Sequence, residues 1–228
     1  MRHGWTVTLA ALVVCLVAVV AAYKYFYPTY SYRYQLTMNV EVDGVLHSGS
    51  SIIEVTWYAH FLPELVSFSP ELRGQAALVD LGDRGVVVAA LINGETYGPA
   101  KDGASGAIWI AARAFGLDST IGELPRLSEL RGKRELSLNN LPRFLWFSNP
   151  RDPMTARNVR VQDFASALGP SARFAGASVE ITSEPIVINI YDKLPWLKSL
   201  EQSPPGDKVI YLQDKFPIMR AMFIGDRS

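Results

Sequence analysis

Among its 228 residues the chain has a single cysteine, Cys15. No internal disulfide can form, so the fold must rest on its hydrophobic core, which a chain of this length can build. Histidine is almost as scarce, with only His3, His47 and His60. Three leave no pair at metal-ligand spacing, and a Ser-His-Asp arrangement would have to use His47 or His60. Net charge is missing too: 22 basic residues balance 22 acidic ones, so no global field gathers nucleic acid. No Asn-x-Ser/Thr acceptor occurs. Together, the absent disulfides and acceptors lean towards a bacterial periplasm or cell surface. What the chain does have is apolar content, 49% hydrophobic against 19% charged, well away from the composition of disorder.

The charge is unevenly spread. Nine acidic and four basic residues lie between Pro28 and Ala112, against six acidic and ten basic from Arg113 to Arg173. Two lobes, or one domain with a polarised surface, would give that asymmetry; solvated faces are the plainer reading.

The longest apolar run is Trp5–Ala22, WTVTLAALVVCLVAVVAA, eighteen residues with no charge and two threonines. As a helix it extends roughly 27 Å, close to a hydrocarbon core of about 30 Å. Its Val and Leu residues each favour insertion by roughly 0.3–0.6 kcal/mol, and no polar stripe interrupts them. Trp5 marks one end; Tyr23, Tyr25, Phe26 and Tyr27 crowd the other as an interfacial belt, with Lys24 able to snorkel past it. We expect one transmembrane helix. Charge bias across it is weak, with Arg2 before it and Lys24 and Arg33 after it. The short leading segment resembles a signal sequence, which inserts with its N-terminus inside. Val20 and Ala22 are small enough to permit cleavage after Ala22. The run exceeds a signal core of about 7–15 residues, so an uncleaved anchor is expected. Lipid attachment at Cys15 is not expected, because Val14 precedes it and the residue lies mid-run.

The strongest strand signal follows at once. Tyr30, Tyr32, Tyr34, Leu36, Met38, Val40 and Val42 alternate with polar residues, the period of a half-buried strand. Asp43-Gly44 suits a two-residue turn in which both residues take φ > 0. Folding back about it pairs residues whose numbers sum to 87: Tyr34 with Ile53, Tyr32 with Val55, Tyr30 with Trp57 and Arg33 with Glu54. A slip of one residue would put the apolar set on the wrong face. A second hairpin is read in Gln75–Leu81 and Val86–Ile92, around Gly82-Asp83-Arg84-Gly85. Its strands are continuously apolar and so covered on both faces. Ala104–Phe115 reads as a helix with Gly116 at its C′ position, and Leu124–Lys133 as a short helix or turn. Later elements are a strand at Leu141–Ser148, a turn at Asn149–Pro153 and a two-turn helix at Val161–Leu168. Two further strands, Ser178–Ser183 and Ile186–Tyr191, flank Glu184-Pro185. A short strand around Val209–Leu212 precedes a loose tail. No repeat or low-complexity tract appears.

The segments NPRDP, VQDFASALGP, VEITSEP and LPWL between Trp146 and Leu197, with VEVDG and GSSIIEV near the N-terminus, resemble a group of uncharacterised bacterial proteins. These are packing and turn motifs. The resemblance implies an exported bacterial protein and assigns no activity or functional residue.

Each candidate for chemistry has a plainer explanation. His47 falls opposite Val40 on the apolar hairpin face, and His60, in the following loop, sits among Tyr58, Phe61 and Leu62; packing explains both. Gly103-Ala104-Ser105-Gly106-Ala107 resembles a nucleophile elbow, but Ala107 replaces the second glycine and no histidine follows residue 60. As a phosphate cradle it lacks the Gly-Lys-Ser/Thr ending, and Lys101 precedes the turn. Glu41, Asp43 and Glu54 lie on one strand face, where a glycosidase would need two carboxylates about 5–9.5 Å apart in a cleft. No Asp-x-Asp-x-Asp calcium loop is present. Arg126, Arg131, Lys133, Arg134 and Arg143 form a basic cluster suited to phosphates or lipid headgroups, although Glu129 and Glu135 are interleaved. Trp196, within Pro195-Trp196-Leu197, is a candidate partner anchor, with core packing the competing reading.

The sequence therefore points to an α+β protein: an N-terminal transmembrane helix, then a β-rich domain of antiparallel hairpins with a few short helices. The expected division is an anchor at 1–27, an extracytoplasmic domain at 28–200 and a tail at 201–228. Its N-terminus would be cytoplasmic and its domain periplasmic or extracellular. No catalytic, cofactor-binding or metal-ligating residue is assigned, and no cofactor. The expected role is a non-enzymatic binding or interaction module of the cell envelope, contacting the membrane through Trp5–Ala22 and an envelope protein through its domain, with no nucleic acid. The alternatives are a carboxylate-based hydrolase of envelope glycans and an accessory subunit of a membrane complex.

Overall fold

The computed structural model describes residues 2–62, 65–93, 106–200, 209–212 and 216–225, with side chains omitted at 2–11, 61–62, 65–66 and 93. A helix, α1, spans Arg2–Phe26. β1 (Thr29–Val42), β2 (Val45–Leu62) and β3 (Leu65–Gln75) follow, then β4 (Ala77–Asp80) and β5 (Val86–Asn93). After α2 (Gly106–Ala114) come α3 (Leu124–Leu127), β6 (Lys133–Glu135), β7 (Pro142–Phe147), β8 (Ala156–Val159), α4 (Phe164–Leu168) and β9 (Arg173–Ile181). Three two-residue strands close the described chain: β10 (Ile210–Tyr211), β11 (Pro217–Ile218) and β12 (Ile224–Gly225). The architecture is α+β, with antiparallel sheets and few helices.

β1 and β2 pair in the register read from the sequence, Tyr34 with Ile53 and Arg33 with Glu54. Asp43 (φ 53°) and Gly44 (φ 78°) both occupy the left-handed region, the turn that matches the twist of the strands it joins. Tyr32 to Val42 alternate buried and half-buried, so one face of β1 forms the core. The six strands of this sheet run β12-β3-β2-β1-β9-β6. A second sheet, β4-β5-β7-β8, contains the other expected hairpin, with Val79 opposite Val87. Val86 to Leu91 are buried without interruption, as a strand covered on both faces should be.

The two sheets meet closely where β2 passes β4. A Cβ on Gly49 would lie 1.9 Å from the carbonyl oxygen of Leu78, so only glycine admits this approach. α2 packs against β5 and β7 of one sheet and touches β3 and β9 of the other. All seven residues from Gly106 to Ala112 are buried, and Gly116 (φ 77°) follows the helix as expected. Tyr32 and Tyr34 donate from β1 to the carbonyls of Ile108 and Ala107 (2.5 Å for the latter), and Trp57 packs on Trp109 with ring centroids 4.8 Å apart.

The structure departs from the sequence reading at several points. Ile186–Tyr191 is not a strand. Its backbone is engaged by side chains instead: Gln75 Oε1 accepts from the amides of Asn189 and Ile190, and Arg33 donates to the carbonyls of Ser183 and Glu184 just before it. The edge beside β9 is taken by β6, and Val187 and Ile188 are exposed. The described residues after 200 include buried ones rather than a loose tail. Ile218, Met222, Phe223 and Ile224 are buried, and β12 pairs with β3. Of the expected 201–228 tail, the described part therefore belongs to the domain. The short strand near Val209 is β10, which pairs only with β11. β3, β6 and β8 were not anticipated. Among the described residues no helix is long and apolar enough to cross a membrane. A helix, Arg2–Phe26, forms where the anchor was expected.

Candidate functional site

The expected candidates fall in separate places. His60 lies in β2 rather than in a loop, exposed, its Nε2 hydrogen-bonded to Ser69 Oγ, the diagonal neighbour on β3 that stands opposite Tyr58. His47 stands opposite Val40, half-buried. Of the Gly-Ala-Ser-Gly-Ala segment, Gly103, Ala104 and Ser105 lie outside the described residues; Gly106 and Ala107 begin α2.

The three carboxylates are each held by arginine. Arg173 grips Glu41 through Nε at 2.9 Å and Nη2 at 2.5 Å. Asp43 accepts from Arg84 Nη2 at 2.7 Å and Ser171 Oγ at 2.5 Å. Glu54 is shared by Arg33 at 2.5 Å and Arg73 at 3.5 Å. Glu54 faces Arg33, eight positions along β1 from Glu41, a separation of roughly 26 Å. Such spacing cannot place Glu41 and Glu54 on one glycosidic bond. These pairs join strands: Arg84 reaches from the second hairpin to the turn of the first.

The basic cluster also divides. Arg126 pairs with Glu123 at 2.7 Å, and Lys133 lies 3.9 Å from Glu135. Arg131 donates to the carbonyls of Ser128 and Leu130, while Arg134 lies over the Phe115 ring at 4.9 Å. Trp196 packs rather than projects. Its ring sits 5.8 Å from Phe147 and 5.5 Å from Phe223, and its Nε1 donates to the Pro150 carbonyl at 3.1 Å.

Only Arg143 of that cluster opens onto a sizeable concavity, a groove of about 580 Å³ at the end of the second sheet where β7 begins and β8 ends. Leu138, Phe144 and Val161 supply apolar wall; Arg143, Asn158 and Arg160 supply polar groups, and among the described residues no carboxylate lines it. Arg143 lies over the Phe216 ring at 5.1 Å, and Arg160 Nε meets Asp163 at 2.7 Å. One wall is fixed from within. Buried Asn140 donates to the Ile110 carbonyl and accepts from Arg113 Nε, both at 2.8 Å, tying the Leu138–Leu141 segment to α2. A rigid apolar groove with cationic and amide groups suits a small ligand carrying an anionic or carbonyl end.

Sequence reasoning missed Asn139, Asn158, Arg160 and Gln162, because the groove joins two short segments with no shared periodicity. Asp80 is the one described carboxyl clearly displaced: Lys193, hydrogen-bonded to it, and the Gly82 amide hold it below the usual value. It lies on the exposed surface, away from the groove. Among the described residues no group of three His, Cys, Asp or Glu side chains is placed to hold a metal ion. Comparison with protein-family models, curated proteins and solved structures found no match.

Proposed function

We propose that this chain is a single-pass, membrane-anchored protein of a bacterial envelope whose β-rich domain faces away from the cytoplasm and acts as a binding module. One observation carries the reading: eighteen consecutive uncharged residues, Trp5–Ala22, on a helix whose described valines and leucines, Leu12–Val20, are 47–67% exposed. Such a surface is costly in water and favourable in lipid. Elsewhere the large buried side chains are sealed in one core. The Arg143 groove is the place where the domain offers a partner both apolar contact and polar groups.

Membrane fractionation tests the anchor. The full chain should sediment with membranes and resist alkaline carbonate extraction, and a periplasmic reporter at its C-terminus should be active. A freely soluble full-length product, or a reporter active only in the cytosol, would overturn the reading. Pull-down from membranes with the anchor intact tests the binding role: Arg143→Glu should lose the partner that wild type retains.

A further inference from the structure

The groove at the end of the second sheet places a cation and an apolar floor side by side. Arg143 and Phe144 are consecutive in β7 and both line it. Phe144 is buried and backed by Phe174 and Phe164, with ring centroids at 5.2 and 5.9 Å, so the floor keeps its shape. Leu138 is 65% exposed and continues the apolar wall out towards solvent.

Each polar group narrows what can occupy this space. Arg143 and Arg160 bring two positive charges, and the described lining holds no carboxylate; Asp163 meets Arg160 Nε from outside it. The complementary end of a ligand is therefore an anion. Arg143 lies with its guanidinium over the Phe216 ring at 5.1 Å, and a guanidinium carries its N–H donors in its own plane, the arrangement that grips a carboxylate by two bonds. Asn139, Asn158 and Gln162 each combine an acceptor with an NH₂ donor. An acyl tail has neither donor nor acceptor beyond its head group and would strip water from those amides without compensation. A peptide backbone presents one of each per residue. The position of the charge decides which part of a peptide fits. An acidic side chain puts its carboxylate where an apolar group would have to go. A C-terminal residue carries carboxylate and side chain on the same Cα, so it meets Arg143 and the Phe144 floor together.

We propose that the Arg143 groove receives the free C-terminus of a partner polypeptide that ends in an apolar residue. The carboxylate faces Arg143, with Arg160 adding to the field. The last side chain rests against Phe144, Leu138 and Val161, and the amides of Asn158 and Gln162 serve the preceding backbone. The proposal rests on the reading of the domain as a binding module and names the partner chemistry of that same groove.

The experiment uses the full-length chain in phosphatidylcholine nanodiscs and fluorescein-labelled hexapeptides ending in Val, Leu, Ile or Phe, read by fluorescence anisotropy. Each peptide is made as the free acid and as the C-terminal carboxamide. At least one acid should bind saturably, and its carboxamide should bind at least about tenfold more weakly, as the loss of a charge-assisted contact implies. Arg143→Gln should weaken the acid by a similar factor and leave the carboxamide unchanged. Leu138→Asp, at an exposed position outside the core, should weaken both forms; far-ultraviolet circular dichroism confirms the fold of each variant. Equal binding of acid and carboxamide, or binding indifferent to Arg143→Gln in a folded protein, would overturn the proposal. Displacement of no peptide but saturable binding of fluorescent octanoate, lost in Arg143→Gln, would overturn it in favour of a lipid-like anion. If no acid binds up to millimolar concentration while Arg143→Glu still loses its membrane partner in the pull-down, the C-terminal reading falls and the binding module stands. If neither binding is seen, both fall.

Discussion

Tyr32 and Tyr34 stack in the core with ring centroids 6.0 Å apart, and burial pushes both hydroxyls above the ordinary value of 10.0. The folded state thus favours the neutral phenols. Their contribution is complete below the unfolded value near 10 and is lost as pH climbs beyond it, when the unfolded chain ionises first. Urea midpoints should be level up to about pH 9 and fall above about pH 10, less steeply in the double variant Tyr32→Phe/Tyr34→Phe. Equal alkaline slopes in the two proteins would refute this. At neutral pH Tyr34→Phe should cost about 1 kcal/mol, the net worth of its bond to the Ala107 carbonyl. Gly49→Ala acts through space instead. Its Cβ would press on the Leu78 backbone, which cannot swing aside like a side-chain tip. A loss of about 1–3 kcal/mol in thermal or urea unfolding is expected; an unchanged midpoint would show that the sheets can separate there.

At the level of elements, the first hairpin was legible because three independent signals agreed: a period of two over β1, an Asp-Gly turn, and Arg33 falling opposite Glu54. The second hairpin was legible from its continuous apolar runs. Ile186–Tyr191 misled because alternation reports only that a strand would be half-buried, not that a neighbour is free to pair with it. Gln75 takes those backbone amides with one carbonyl oxygen, while its Nε2 donates to Asn189 Oδ1 at 2.7 Å. Gln75→Ala should therefore raise hydrogen exchange at Asn189 and Ile190 by about tenfold, corresponding to bonds worth on the order of 1 kcal/mol, with amides in β1 unaffected. Unaltered exchange at both residues would mean that the segment is held by other contacts. β8 was missed for the opposite reason: Ala156–Val159 is four residues long and reads as a continuation of the preceding turn.

For the molecule as a whole, the sequence disclosed the apolar helix and the β-rich body but hid the groove. Its walls come from Leu138–Phe144 and Asn158–Gln162, brought together only by the β7–β8 pairing and the Asn140 tether to α2. No spacing in the chain records a meeting made by tertiary contacts. Residues after 200 were equally opaque, because Phe223 and Ile224 are too few to show a period yet seal the core beside Trp196. That core bears on whether anchor and domain are separable. The described side chains of α1 from Leu12 to Phe26 are exposed, and the core residues begin at Tyr32. A chain starting at Pro28 keeps every buried residue among those described, and the carbonyl partner of the Ala59 amide. Removing residues 1–27 should shift thermal unfolding by no more than about 0.5 kcal/mol relative to the full chain in the same detergent, while moving the protein from the membrane to the soluble fraction. Loss of the cooperative transition would show that the helix is a structural part of the domain. Continued sedimentation with membranes in a folded truncation would instead place a substantial share of the binding in the domain.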